Sequence, residues 1–251
     1  MATSISFIRR IKNLAKRSEL LVRLYEVYKF FKPLLVKGLL DPCKDIRKTR
    51  LFFTVMPYTM MNYETLSKLQ ELSRHLESEG ISGNFVECGV RNGGSAAVIA
   101  TAVKENKNRH VWLFDSWEGF PETDERDIND DLEQAQKGSC SSSEETVREL
   151  FFHRLHLDST RIHLVKGWFN DTLPDKDIGK IALLHLNCDL YESTSHCIEQ
   201  LYDNVTEGGC IVITDYRLFK GSEEATNEFI KRRNLNVELI ENGKFGVYFF
   251  K

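Results

Sequence analysis

No apolar run in this 251-residue chain reaches the ~18 residues that a membrane span requires, and the start, Met1–Lys16, lacks the compact apolar stretch of a secretion signal. The expectation is a cytoplasmic protein. Nor does the chain contain a Cys-x-x-Cys pair: its six cysteines, Cys43, Cys88, Cys140, Cys188, Cys197 and Cys210, are scattered, several in apolar segments where a thiol behaves as a small buried hydrophobe. Neither a zinc site nor a disulfide framework is indicated. Acidic residues are few at the N-terminus, where residues 1–50 hold 4 Asp/Glu against 13 Lys/Arg and carry +9. The remainder holds 33 Asp/Glu against 21 Lys/Arg and carries −12, a sign that does not attract nucleic acid.

A dinucleotide fingerprint is also missing. The segment Asn84-Phe85-Val86-Glu87-Cys88-Gly89-Val90-Arg91-Asn92-Gly93-Gly94-Ser95 reads as a buried strand, a glycine turn and a helix start, but G-x-G-x-x-G would need glycine where Glu87 stands. A carboxylate there repels a pyrophosphate. It suits a ligand with a positive charge or an amino group, as S-adenosylmethionine has at its sulfonium and its amino acid end. Glycines 89, 93 and 94 let backbone approach such a ligand, and the next helix offers free N–H groups. An ordinary capped strand-to-helix turn is the plainer account of the same residues.

Residues 5–40 place Ile8, Ile11 and Leu14, then Leu20, Leu24, Tyr28 and Phe31, at helical spacings between Lys and Arg, with Pro33 as a break. This predicts a basic amphipathic extension over 1–50. Residues 1–40 would then attach the protein to an anionic membrane surface or to a second copy of itself, or else cap the domain's own core. A helix over 62–79 precedes strands at 84–88, 110–115, 161–166, 180–186 and 209–214, which alternate with helices at 93–105, 144–156, 191–204 and 222–233. Such alternation predicts a doubly wound, mostly parallel α/β sheet across 51–251. The tail departs from it: Val237–Ile240 and Phe245–Phe250 flank Asn242-Gly243, a type I′ hairpin signal, and predict a final antiparallel pair. The long irregular stretch 118–143 is expected to be a lid or substrate loop.

In a sheet of this kind ligands bind at the carboxyl ends of the strands. The first end supplies Glu87, Gly89, Gly93 and Ser95. The second supplies Asp115 and Ser116, with Asp115 able either to accept ribose hydroxyls or to cap a turn. The third is followed by Gly167 and Trp168, aromatic surface for an adenine or for the core. The fourth and fifth deliver Asn187, Asp189, Thr214 and Asp215 to one rim. There the two carboxylates with neutral oxygens could hold a divalent cation, one could take a proton from a hydroxyl, or both could cap turns. His185 is expected to be a satisfied core histidine.

Five runs, NFVECGVRNGGSAAV, VWLFDSWEGFP, KGWFNDTLP, LHLNCDLYEST and EGGCIVITDY, resemble in order and spacing the macrocin O-methyltransferase family, which includes the mycinamicin sugar methyltransferases. The resemblance runs from about Tyr58 to the C-terminal hairpin. It implies a class I, seven-stranded methyltransferase fold, S-adenosylmethionine and magnesium as cofactors, and a sugar or polyol hydroxyl on a small molecule as acceptor. Carried over, Glu87 and Gly89 line the methionine moiety, Asp115 the ribose, and Thr59 and Met60 close over the cofactor. Asp189 and Asp215 take metal or base positions, Asp189 being the expected base for an in-line attack. The family usually has Leu-Asp-Gly-Asp where this chain has Leu186-Asn187-Cys188-Asp189, and Asp-Asp-Tyr where it has Thr214-Asp215-Tyr216. Two carboxylates are thus missing from the implied metal set. That departure supports two rival expectations: a methyltransferase-like scaffold module without catalysis, and a metal-independent methyltransferase.

Overall fold

In a computed structural model the structure describes residues 24, 25, 27, 28, 30–32 and 46–251. The expected helices over 5–40 lie largely outside these residues. Those described between 24 and 32 are helical, and Phe30 and Phe31 are buried against Phe52, Phe53 and Tyr63, with ring centroids 4.6–6.5 Å apart. Helix α1 (Ile46–Val55) and helix α2 (Tyr63–Ser78) complete this aromatic layer. Asn62 starts α2 by accepting the Thr65 amide at 2.9 Å, and Leu66, Leu69, Leu72 and Leu76 form its buried stripe.

The sheet has seven strands: β1 (Asn84–Cys88), β2 (Val111–Asp115), β3 (Ile162–Lys166), β4 (Ile181–Leu186), β5 (Val205–Ile213), β6 (Ile240–Asn242) and β7 (Gly246–Phe250). Their order is β3-β2-β1-β4-β5-β7-β6, parallel except for β7, which runs antiparallel to β5 and β6. Strand β4 is buried along its whole length, as its apolar run Ile-Ala-Leu-Leu-His-Leu requires of a central parallel strand. Helices α3 (Gly94–Ala102), α4 (Glu144–Arg148), α5 (Phe169–Thr172), α6 (Tyr191–Leu201) and α7 (Lys220–Arg232) fill the crossovers. The expected helix over 144–156 divides: after α4 the chain widens into a π-helical turn over Glu149–Arg154, burying Leu150 and Phe151.

The hairpin differs in register from its expected form. Asn242 is not a turn residue: it is the last residue of β6, buried and paired with Gly246. The loop is Gly243-Lys244-Phe245, with Gly243 supplying the left-handed φ of +72°. With Asn242 paired in the ladder the turn starts one residue later and spans three residues, so it is not a two-residue type I′ loop.

Candidate active site

The strand order reverses between β1 and β4, the switch point at which open α/β sheets bind ligands. Here the two chains all but touch. A Cβ on Gly89 (φ +89°) would collide with the Asn187 carbonyl, 2.6 Å from its carbon, and Asn187 Nδ2 donates to the Gly89 carbonyl at 2.9 Å. Only glycine fits, and its use is backbone against backbone, one level below the ligand approach expected of it. Above this crossing opens a cavity of about 590 Å3, a volume usual for small-molecule sites.

Most of the anticipated residues line it: Gly89, Ser95, Asp115, Ser116, Gly167 and Trp168 on one side, with Thr59 and Met60 at the mouth. Met60 is 77% exposed there. The Tyr58–Thr59 backbone reaches this position because α3 begins with Gly94, where a Cβ would come within 2.7 Å of the Tyr58 carbonyl oxygen and of Thr59 Cβ. Asn187, Asp189, Thr214 and Asp215 line the other side.

Two expected residues are off the wall. Gly93 is the left-handed residue preceding α3, packed on Val147 and Phe151. Glu87 is fully buried beneath the cavity, where Oε1 accepts the Ser95 hydroxyl at 2.6 Å. Its Oε2 lies 3.4 Å from His185 Nδ1, too poorly aligned for a hydrogen bond, and His185 Nε2 contacts the Thr214 hydroxyl closely. Ser95–Glu87 and His185–Thr214 are thus two buried pairs whose inner groups face each other at 3.4 Å. A strand alternates faces, so Glu87 one residue before Cys88 points under the turn and not into it.

Asp115 serves the glycine turn. Its Oδ2 accepts the amides of Val90 and Arg91 at 2.8 and 2.7 Å, and Oδ1 accepts the Trp117 amide at 2.6 Å. The turn-cap account of this residue holds. One carboxylate lone pair remains toward the cavity, enough for a single ribose hydroxyl.

Asp189 and Asp215, each half-buried, are neighbouring carboxyls on the cavity wall. Burial first, then the charge of Asp215, pushes the Asp189 carboxyl well above the ordinary carboxylate range. Burial also raises Asp215, while neighbouring Asp189 and His185 pull it back. Asp189 has φ +60° and bridges a Leu190 N–H to Cys188 carbonyl bond of 2.6 Å, the geometry of the rarer, strained γ-turn.

The rest of the wall includes Phe120 and Asn129–Asp131 from the 118–143 segment, expected as a lid or substrate loop, together with Leu218 and Phe219 after β5 and Phe245 of the hairpin, which sequence reasoning did not single out. The segment is ordered by bridges from Ile128 to Gln134 and from Asn129 to Phe219, and by buried Asp127, whose Oδ1 accepts the Tyr191 amide.

The donor set was tested against both expected cofactors. For S-adenosylmethionine, an apolar wall bearing Trp168 and Phe169 beside hydroxyl and carboxylate oxygens fits a nucleoside with a cationic tail. For magnesium the donor set is thin: the Thr214 hydroxyl contacts His185, and Asn187, its Nδ2 held on the Gly89 carbonyl, presents a neutral amide oxygen beside the Asp189 and Asp215 carboxyls. Among the described residues no group of three or more His, Cys, Asp or Glu is placed to hold a metal ion.

Sheet order, switch-point cavity and acidic rim define a class I S-adenosylmethionine-dependent methyltransferase. The chain belongs to the macrocin O-methyltransferase family: the model for Macrocin-O-methyltransferase (TylF) matches residues 36–251. It is 30% identical over 210 residues to demethyldecarbamoylnovobiocin O-methyltransferase of Streptomyces niveus, covering 82% of this chain and 80% of that one. It is 26% identical over 211 residues to mycinamicin III 3''-O-methyltransferase of Micromonospora griseorubida, covering 82% and 83%. The solved O-methyltransferase NovP superposes with a TM-score of 0.70 at 28% identity, over 77% of this chain and 82% of that one. The protein is an O-methyltransferase that uses S-adenosylmethionine, and the scaffold alternative finds no support. Among the described residues no helix is long and apolar enough to cross a membrane.

Proposed function

We propose that the protein methylates a hydroxyl of a sugar or polyol carried on a larger small molecule. The observation that carries this reading is the Asp189–Asp215 pair on the cavity wall opposite the glycine turn. The relatives named above are O-methyltransferases of demethyldecarbamoylnovobiocin and of mycinamicin III at its 3'' position, which supports a sugar-bearing acceptor. Bound S-adenosylmethionine supplies a methyl group on a sulfonium, an electrophile that needs only a well-placed oxygen.

Gly89, Ser95, Asp115 and Trp168 would hold that cofactor, with Thr59 and Met60 excluding water at the mouth. Phe120, Phe219 and Phe245 offer apolar faces to the scaffold of the acceptor, and Asn129 and Asp130 offer polar contacts to its hydroxyls. Holding the oxygen at near-attack distance supplies much of the rate. The proton is taken by the Asp189–Asp215 pair. The base is then a property of two residues, where the sequence pointed to Asp189 alone. No step is assigned to magnesium.

The basic N-terminus supports an attachment role. Leu24 and Tyr28 are 56% and 50% exposed one helical turn apart, while Phe30 and Phe31 anchor the same segment to the domain. Deleting residues 1–23 should keep cofactor binding and abolish pelleting with anionic vesicles or self-association; retention of both would remove the attachment reading.

The test of the main reading is transfer of a labelled methyl group to a panel of glycosides and their aglycones. Labelling of glycosides alone is expected. Labelling of aglycone hydroxyls alone, or of protein or nucleic acid, would overturn it.

A further inference from the structure

We infer that Arg91 binds the carboxylate at the amino acid end of S-adenosylmethionine, an inference that rests on the cofactor assignment above. That end of the cofactor carries an ammonium and a carboxylate, and a carboxylate taken into a cavity needs a cation or several N–H donors. Arg91 is the one Lys, Arg or His among the described residues that line the cavity, against the carboxyls of Asp115, Asp130, Asp131, Asp189 and Asp215. Its guanidinium pairs with no carboxylate and makes no hydrogen bond among the described residues, and its Nε is buried without a partner.

The competing donors of the glycine turn are already engaged. The Gly89 amide donates to the Phe114 carbonyl at 2.9 Å and the Gly93 amide to the Val90 carbonyl at 2.8 Å. The amides of Val90 and Arg91 are both on Asp115, and the Ser95 hydroxyl is on Glu87. A carboxylate arriving beside the turn therefore finds these groups closed and the guanidinium open. Arginine also suits the task in kind, since its planar fork can offer two parallel N–H groups to the two oxygens of a carboxylate.

The backbone of Arg91 is fixed on both sides. Its amide is held on Asp115 Oδ2 at 2.7 Å, and its carbonyl accepts the Trp117 indole N–H at 2.9 Å. Its φ of +49° lies in the left-handed region, which is unfavourable for a residue with a Cβ. Left-handed backbone and an orphaned buried nitrogen thus coincide at one residue, and no contact within the protein offsets the second. A ligand carboxylate would offset it, and strain held at a ligand clamp is a common form of preorganisation.

The test is calorimetry on the full chain with S-adenosylhomocysteine, its decarboxylated analogue, and methylthioadenosine, which lacks the whole amino acid end. The wild type should bind S-adenosylhomocysteine at least about tenfold more tightly than the decarboxylated analogue. Arg91→Asn removes the cation at a left-handed position that asparagine tolerates. It should bind those two ligands alike and keep the wild-type affinity for methylthioadenosine. Arg91→Lys, which retains the charge without the fork, should fall between the two. Equal affinity of the wild type for S-adenosylhomocysteine and the decarboxylated analogue would overturn the inference, whether or not the variants fold. So would an Arg91→Asn protein that keeps the full preference, or one that folds and weakens all three ligands by the same factor. Failure of the wild type to bind any of the three would instead remove the S-adenosylmethionine assignment, and the inference with it.

Discussion

Asp127 Oδ1 accepts the Tyr191 amide at 2.7 Å, so a residue of the 118–143 segment caps helix α6 from outside that helix. Its other oxygen takes the Asp124 amide at 2.8 Å, and the side chain is buried. Asp127→Ala should therefore destabilise the fold by about 1–3 kcal/mol, the cost of a lost cap and an orphaned amide. Urea unfolding measures it. A change within experimental error would mean that the segment is not held by this contact.

S-adenosylhomocysteine should stabilise the protein. Binding to the native state alone adds about 2.7 kcal/mol at a ligand concentration one hundred times the dissociation constant. Thermal unfolding with and without ligand reads this directly. The opposite pattern, no shift with this ligand and a shift with a nicotinamide dinucleotide, would contradict the cofactor assignment.

Gly89→Ala should lose cofactor binding and stability together. The position needs positive φ and also has the Asn187 backbone where the methyl group would go. Positive φ alone costs an alanine about 1 kcal/mol, and displacing β4 adds to that. The loss is expected to exceed that of Gly80→Ala, where φ is +65° and a Cβ meets nothing within 4 Å. Equal losses at both sites would show that conformation, not contact, sets the requirement.

Asp189→Asn should abolish transfer and stabilise the fold at neutral pH. Both carboxyls of the pair titrate above their unfolded values. A group raised in this way contributes stability below its unfolded pKa and loses it as pH rises through the folded one. Wild type should thus weaken between the ordinary carboxylate range, about 4, and neutrality, and the variant less so. Parallel stability–pH curves would argue against the coupled pair. Transfer by the wild type should rise with pH over an acid limb above that range, as one member of the pair ionises.

The topology was legible because five strands alternating with four helices, and the terminal apolar runs, follow backbone periodicity, which is local. The same holds for Asp189 and Asp215, placed at adjacent strand ends by counting along β4 and β5. What escaped was contact between distant segments. Asp115 looks identical in sequence whether it meets a ribose or the amides of Val90 and Arg91. Glu87 carries no mark that its face turns beneath the turn, since that depends on the phase of a strand five residues long. Asp127 is one of many acids in its segment, and only the arrival of Tyr191 distinguishes it. The hairpin turn lies one residue beyond the Asn-Gly position because Asn242 pairs with Gly246 in the ladder, a contact that local turn preference does not reveal.

The Gly89–Asn187 crossing also governs how this enzyme can be re-engineered. The residues facing the cofactor and those facing the acceptor are welded at a point where neither loop has slack. Exchanging acceptor loops with a relative must then move residues 84–92 and 186–190 as one cassette. Grafting either alone would bring a foreign backbone into a joint whose clearance was set by the other.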